Sequence, residues 1–131
     1  MEWMVTREVV QDLLAAAELA HPAEACGLLT GRPGEIRGAV PATNVAADPL
    51  RHFEIDPAAL VAAHKAARRG GPAVVGYYHS HPTGIAAPSA TDRAMAAHDG
   101  SIWAIATLRD VTFWQDDEAG FVQLSCSIDD S

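Results

Sequence analysis

The sequence predicts a single α/β domain, one mixed β-sheet flanked by helices. Three observations carry that expectation. The chain has 131 residues, enough for one core and too few for two. Stretches with apolar residues at helical spacing alternate with short, apolar, β-prone runs. Gly- and Pro-rich turns separate the two kinds, and Gly70-Gly71-Pro72 leads from a helix into an apolar, β-prone run, a βαβ-like entry to a central strand.

Thr6 is an N-cap for a first helix over residues 6–20, whose apolar face is Val9, Val10, Leu13, Leu14, Ala17 and Leu19. His21-Pro22 ends it, because a residue before proline avoids the α region. Residues 23–30 read as a strand on which Glu24 and Cys26 share a face. Gly31-Arg32-Pro33-Gly34 turns the chain into a return strand over 36–41. Residues 43–49 form a loop and 51–55 a short strand of alternating character. Asp56 as N-cap and Pro57 at the first helical position start a second helix running to about Arg69. It offers Leu60, Val61, Ala63 and Ala67 to the core. The central strand, 73–79, leads to a loop and a third helix reaching Ala97. Strands at 102–107, 111–115 and 121–126 follow, joined by turns at Arg109-Asp110 and at 116–120. The acidic cluster Asp116-Asp117-Glu118 reads as an exposed turn, since a calcium loop needs several spaced oxygens. The domain spans 1–128, and 129–131 reads as a frayed acidic tail.

Composition is that of a globular protein, 49% hydrophobic and 20% charged, with a formal net charge of −8. The acidic balance excludes a nucleic-acid backbone as partner, which calls for clustered Lys and Arg. Met1-Glu2-Trp3-Met4 lacks the basic region and apolar core of a signal peptide, and no apolar run nears the roughly 20 residues that span a bilayer. A cytoplasmic protein without a membrane partner is expected. Cys26 and Cys126 make neither a disulfide framework nor a Cys-x-x-Cys site, and Cys26 reads as a small core residue. The residue pattern sets no oligomeric state.

Chemistry concentrates between Val74 and Asp92. On a strand, residues i and i+2 share a face, so His79 and His81 aim at one point, as two ligands of one metal must. Pro82 then stops ladder pairing. Ser89 and Asp92 fit a capping box, a hydroxyl N-cap with an acidic residue three positions on. They also fit a metal site, because two imidazoles and a carboxylate, with one position left for water, are the ligands of a catalytic Zn²⁺. The His-x-His-Pro, six residues, Ser, two residues, Asp spacing is far more specific than either half alone.

That spacing resembles the signature of the JAMM (MPN-plus) zinc metalloproteases, matched without a gap from His79 to Asp92. Glu24, in Pro22-Ala23-Glu24-Ala25-Cys26-Gly27, resembles the family's early-strand glutamate. The resemblance implies a cytidine-deaminase-like JAMM/MPN fold, with one zinc per chain on His79, His81 and Asp92. It implies Glu24 as general acid/base and Ser89 as the oxyanion's hydrogen-bond donor. The Glu-Ala-Cys-Gly strand and His-Ser-His-Pro motif are most similar to short bacterial members associated with the C-terminal tails of ubiquitin-like sulfur-carrier proteins. The function so implied is hydrolysis of a peptide or isopeptide bond at such a tail, with the loop 83–87 and the strand 51–55 as candidate contacts. Alternatives are a peptidase of cell-wall or small peptides, as in phage tails, and a non-catalytic MPN scaffold. A nucleoside deaminase is excluded, since neither His-x-Glu nor Pro-Cys-x-x-Cys occurs.

Overall fold

The computed structural model describes residues 2–130. Eight strands form one sheet: β1 (Met4–Thr6), β2 (Cys26–Arg32), β3 (Glu35–Ala42), β4 (Ala73–Ser80), β5 (Ile102–Ala106), β6 (Val111–Asp117), β7 (Gly120–Leu124) and β8 (Ser127–Asp129). Their spatial order is β7-β6-β5-β4-β2-β3-β1-β8. The β4–β5, β1–β3 and β1–β8 pairs are parallel and the remaining four antiparallel, so the sheet is mixed. Three helices flank it: α1 (Arg7–Ala20), α2 (Pro57–Arg68) and α3 (Ala90–Met95).

The core lies between α1 and one face of the sheet. Thr6 caps α1 by accepting the Val9 N–H. Val9, Leu13 and Ala17 pack on Leu29, Ile36, Tyr78, Ala104 and Phe113. Leu19, at 89% exposure, is not part of that face. Alternation along β4 sends Tyr78 to the α1 side and Tyr77 and His79 to the other. There α2 lies against β4, and Tyr77, Trp103, Leu60 and Met95 border a groove. Gly76 stands where β4 has no room for a side chain against β5. It pairs with Ile102, and a Cβ there would stand 1.8 Å from the Ile102 carbonyl oxygen.

Several expectations are corrected. Residues 4–6 and 127–129 are strands, so the C-terminus is not frayed up to Asp130 (Ser131 lies outside the described residues). The Ser127 N–H bonds the Trp3 carbonyl at 3.0 Å, Asp129 lies 3.7 Å from Arg37, and Asp130 pairs with Arg7. Three-residue strands show no periodicity, and they form here because the sheet edge offers them a partner. Residues 51–55 are not a strand: only Ile55 bridges to Asn44. The His52 carbonyl and the Glu54 N–H are taken by the Asn44 side chain, which leaves no ladder to form. Asp56 and Pro57 start α2 as expected, yet the helix buries no residue and Val61 is 61% exposed. The third helix stops at Met95. Asp116 is not in an exposed turn. It ends up fully buried in β6, its carboxylate accepting the His98 N–H at 2.9 Å, and the turn is Glu118-Ala119.

Gly76→Ala is expected to lower stability by about 3 kcal/mol, the upper range for overpacking. The readout is a fall in the urea midpoint with an unchanged slope.

Candidate metal centre

β4 delivers the first histidine and guides the second. The Ser80 N–H bonds the Ala25 carbonyl at 3.0 Å, and Ser80 Oγ accepts the Ala25 N–H at 2.7 Å. The His81 N–H then bonds the Ala106 carbonyl at 2.8 Å, extending the β4–β5 pairing by one residue. His79 and His81 therefore keep the two-residue alternation and face the same side. The following loop folds back on them. His81 Nδ1 bonds the Ile85 carbonyl at 2.8 Å, and Thr112 Oγ1 donates to the Ala86 carbonyl at 2.7 Å. That brings Ser89 to the N-cap of α3. Its Oγ accepts the Asp92 N–H at 3.0 Å, and its own N–H donates to Asp92 Oδ2 at 2.9 Å, a complete capping box.

The same Asp92 carboxylate meets the histidines. His79 Nε2 and His81 Nε2 lie 2.9 Å apart, and each is 3.1 Å from Asp92 Oδ2. A tetrahedral zinc with bonds near 2.0 Å spaces its ligand atoms by about 3.3 Å, so these donors need to open by only a few tenths of an ångström. The donor chemistry fits as well. The Nδ1–H of His81 is spent on a carbonyl, which leaves the Nε2 lone pair for a cation. The Glu24 carboxylate offers an oxygen within 4.8 Å of the histidine nitrogens, a distance that leaves room for a water between. The capping-box and metal-site readings of Asp92 are thus not rivals: one carboxylate does both.

Glu24 does not sit on β2 as expected. It precedes the strand by two residues, because its N–H bonds the Pro49 carbonyl at 2.8 Å and its own carbonyl accepts from Asn44, both in the loop at 43–56. Burial raises its carboxyl to about 7, with the His81 charge pulling down and the Asp92 charge pushing up. Burial also works against the charge on Asp92. Hydrogen bonds from His79 and His81, the His79 charge and the Ser89 N–H outweigh it, and Asp92 stays well below the usual carboxylate range. Burial lowers His79, and Asp92 only partly compensates. For His81, burial is outweighed by hydrogen bonds to Asp92 and Ile85 and by the charges of Asp92 and Glu24, which hold it above its ordinary value. The Cys26 thiol is pushed up to about 11 by burial, which suits a packed side chain and not a nucleophile.

All five residues singled out in the sequence, Glu24, His79, His81, Ser89 and Asp92, come together. The aromatic surround of His79 was not anticipated. The Phe53 ring stacks on the imidazole with centroids 4.2 Å apart and 17° between planes, and Trp103 meets its edge at 5.7 Å. In the sequence Phe53 is one apolar residue of the alternating segment 51–55, a pattern that signals a strand and not a lid over a histidine.

Residues 6–117 match the family described as prokaryotic homologs of the JAB domain. A desampylase of Haloferax volcanii is 42% identical over 86 residues, 64% of this chain and 62% of that protein. A probable TtuB-protein conjugate cleaving protease of Thermus thermophilus is 39% identical over 88 residues, 67% of this chain and 59% of that protein. The chain thus spans about three fifths of the length of these two relatives. A solution structure of a protein from Desulfitobacterium hafniense superposes with a TM-score of 0.85 at 28% identity, over 98% of this chain and 93% of that one.

The raised carboxyl of Glu24 has a consequence for metal-free protein. Folded chains keep its proton up to about 7, whereas an unfolded glutamate releases it near 4.5. Between those values the folded state binds more protons, so stability falls as pH rises through the window. Chelator-treated Glu24→Gln and wild type are expected to melt alike at about pH 4. Above about pH 7 the variant should be more stable, by up to about 3 kcal/mol, in urea titrations.

Proposed function

We propose, for a chain that belongs to the prokaryotic homologs of the JAB domain, that it is a zinc metallopeptidase acting on ubiquitin-like proteins. The bond cut is a peptide or isopeptide bond at the C-terminal tail of a sulfur-carrier protein. The observation that carries this reading is the convergence of two imidazole nitrogens and a carboxylate on one point with Glu24 beside it. The names of the two relatives, a desampylase and a protease of TtuB-protein conjugates, support the substrate class.

His79, His81 and Asp92 would hold one Zn²⁺. Bound there, zinc supplies a Lewis acid and a water of lowered pKa. Glu24 takes a proton from the attacking water and returns it to the leaving amine, a task for a carboxyl lifted to about 7. Ser89 Oγ accepts from the Asp92 N–H, which leaves its own hydrogen free. It donates that hydrogen to the scissile carbonyl oxygen as charge gathers there, a contribution of about 3–4 kcal/mol.

The tail has a place to lie. A groove of about 270 Å³ runs from Glu24 and Asp92 along Phe53, Ile55, Leu60, Tyr77, Met95 and Trp103. It takes in the 51–55 segment expected to touch the tail. An extended peptide laid there presents alternate side chains to an apolar wall. The proposed setting is the cytoplasm, in keeping with two free thiols.

Elemental analysis of purified protein is expected to find about one zinc per chain in the wild type and none in His79→Ala. Glu24→Gln is expected to keep its zinc and lose about 100-fold or more in kcat on carrier-tail conjugates. Wild-type turnover in that variant would remove Glu24 from its role. Cleavage of short peptides with no cleavage across a panel of the host's sulfur carriers would transfer the function to small-peptide hydrolysis.

A further inference from the structure

The two histidines of the centre are held by different means. A ligating imidazole ordinarily donates its second ring N–H to a carboxylate, a carbonyl or a water, which fixes the tautomer and the ring's orientation. His81 follows that rule through Ile85. His79 does not: its Nδ1 is buried and has no hydrogen-bond partner among the described residues. What restrains this ring is packing. Phe53 covers its face, and Trp103 stands at 88° to it and nearly perpendicular, at 78°, to Phe53.

Phe53 belongs to the loop at 43–56, and Asn44 organises that loop. One amide saturates four backbone groups. Its nitrogen donates to the carbonyls of Glu24 and His52 at 3.0 Å each, and its oxygen accepts the N–H groups of Ala46 at 3.0 Å and Glu54 at 3.1 Å. Its partners His52 and Glu54 are the two neighbours of Phe53. With Pro49 bonded to the Glu24 N–H, both backbone polar groups of Glu24 end on this loop. A single element therefore sets the backbone of the carboxylate and the ring plane of the imidazole.

We infer that Asn44 and Phe53 are positioning residues of the metal centre: Asn44 fixes the backbone from which Glu24 presents its carboxylate, and the Phe53 ring takes the place of the missing second hydrogen bond on His79. The inference rests on the reading of Glu24 as base and His79 as ligand. Neither Asn44 nor Phe53 touches the reacting atoms in this scheme. Phe53 acts on metal affinity through His79, and Asn44 acts on turnover through Glu24.

The test uses the full chain and Zn²⁺ itself, titrated against a chromogenic chelator, together with kcat and KM on a carrier-tail conjugate and the thermal midpoint. Phe53→Leu keeps an apolar side chain and removes the stack. It is expected to weaken zinc binding about tenfold or more, the usual cost of losing a ligand's outer support. Phe53→Tyr keeps the stack and is expected to stay within about threefold of wild type, which a merely space-filling role would not require of Tyr over Leu. Asn44→Asp keeps both accepting contacts and turns an acceptor towards two carbonyls. It is expected to lower kcat about tenfold, with KM and zinc affinity within about threefold of wild type. Zinc affinity in Phe53→Leu equal to that of an active wild type overturns the role of Phe53, and wild-type kcat in Asn44→Asp overturns that of Asn44. Should Asn44→Asp fail to fold, Asn44→Ser, whose hydroxyl cannot span the four backbone groups, is read in its place: a kcat about tenfold lower is expected, and wild-type kcat overturns the role of Asn44. A wild type that binds no zinc and cleaves nothing overturns the reading of the site, and this inference with it.

Discussion

A carboxylate removed from water must be met by donors or by a cation. Asp92, 4% exposed, is that carboxylate here, and the architecture around the centre answers its demand. Oδ2 faces the Ser89 N–H and both histidine nitrogens, and Oδ1 lies 3.1 Å from His79 Nε2 as well. The capping box fixes where the carboxylate stands relative to α3, and the loop 82–88 fixes where α3 stands relative to β4. The His81–Ile85 and Thr112–Ala86 bonds hold that loop. The helix is only six residues long, so its position comes from these anchors and not from its own packing.

The second constraint is topological. β2 and β4 are antiparallel neighbours, with Cys26 opposite His79. The beginning of β2 therefore lies beside the end of β4, and Glu24 meets His79 and His81 across more than fifty residues of chain. The Ala25–Ser80 bonds continue this pairing past the regular ladder. On the other side β5 runs parallel to β4, which carries the connection after β4 over the sheet and returns α3 to the strand end. Alternation then assigns the faces. Tyr78 goes to the α1 core and His79 to the side where Phe53 and Trp103 enclose it.

What could be read from residues in advance follows the range of the interactions concerned. The two caps, Thr6 for α1 and Asp56 with Pro57 for α2, are local, and they stand as read. So does the His-x-His alternation. Nothing local announces the short strands β1 and β8, because three residues carry no period and pairing between distant segments creates them. The segment 51–55 alternates like a strand, yet one amide side chain took its backbone groups. Val61 reads as a core residue and is exposed, on a helix none of whose residues is fully buried. Asp116 reads as solvent-facing and is buried, because His98, eighteen residues away, supplies its donor.

Residue order was therefore enough for the fold class, the caps and the five side chains that the fold gathers around Asp92. Each depends on spacing along one segment, or on a motif whose members stand within fourteen residues of one another, Glu24 excepted. Three-dimensional packing was needed for the rest: how Glu24 leaves the strand to be held by a loop, which face of His79 is covered, and where a tail can lie. Those are contacts between segments distant in the chain. Their partners are chosen by the sheet's strand order and by unspent backbone hydrogen bonds, and neither is written in local periodicity.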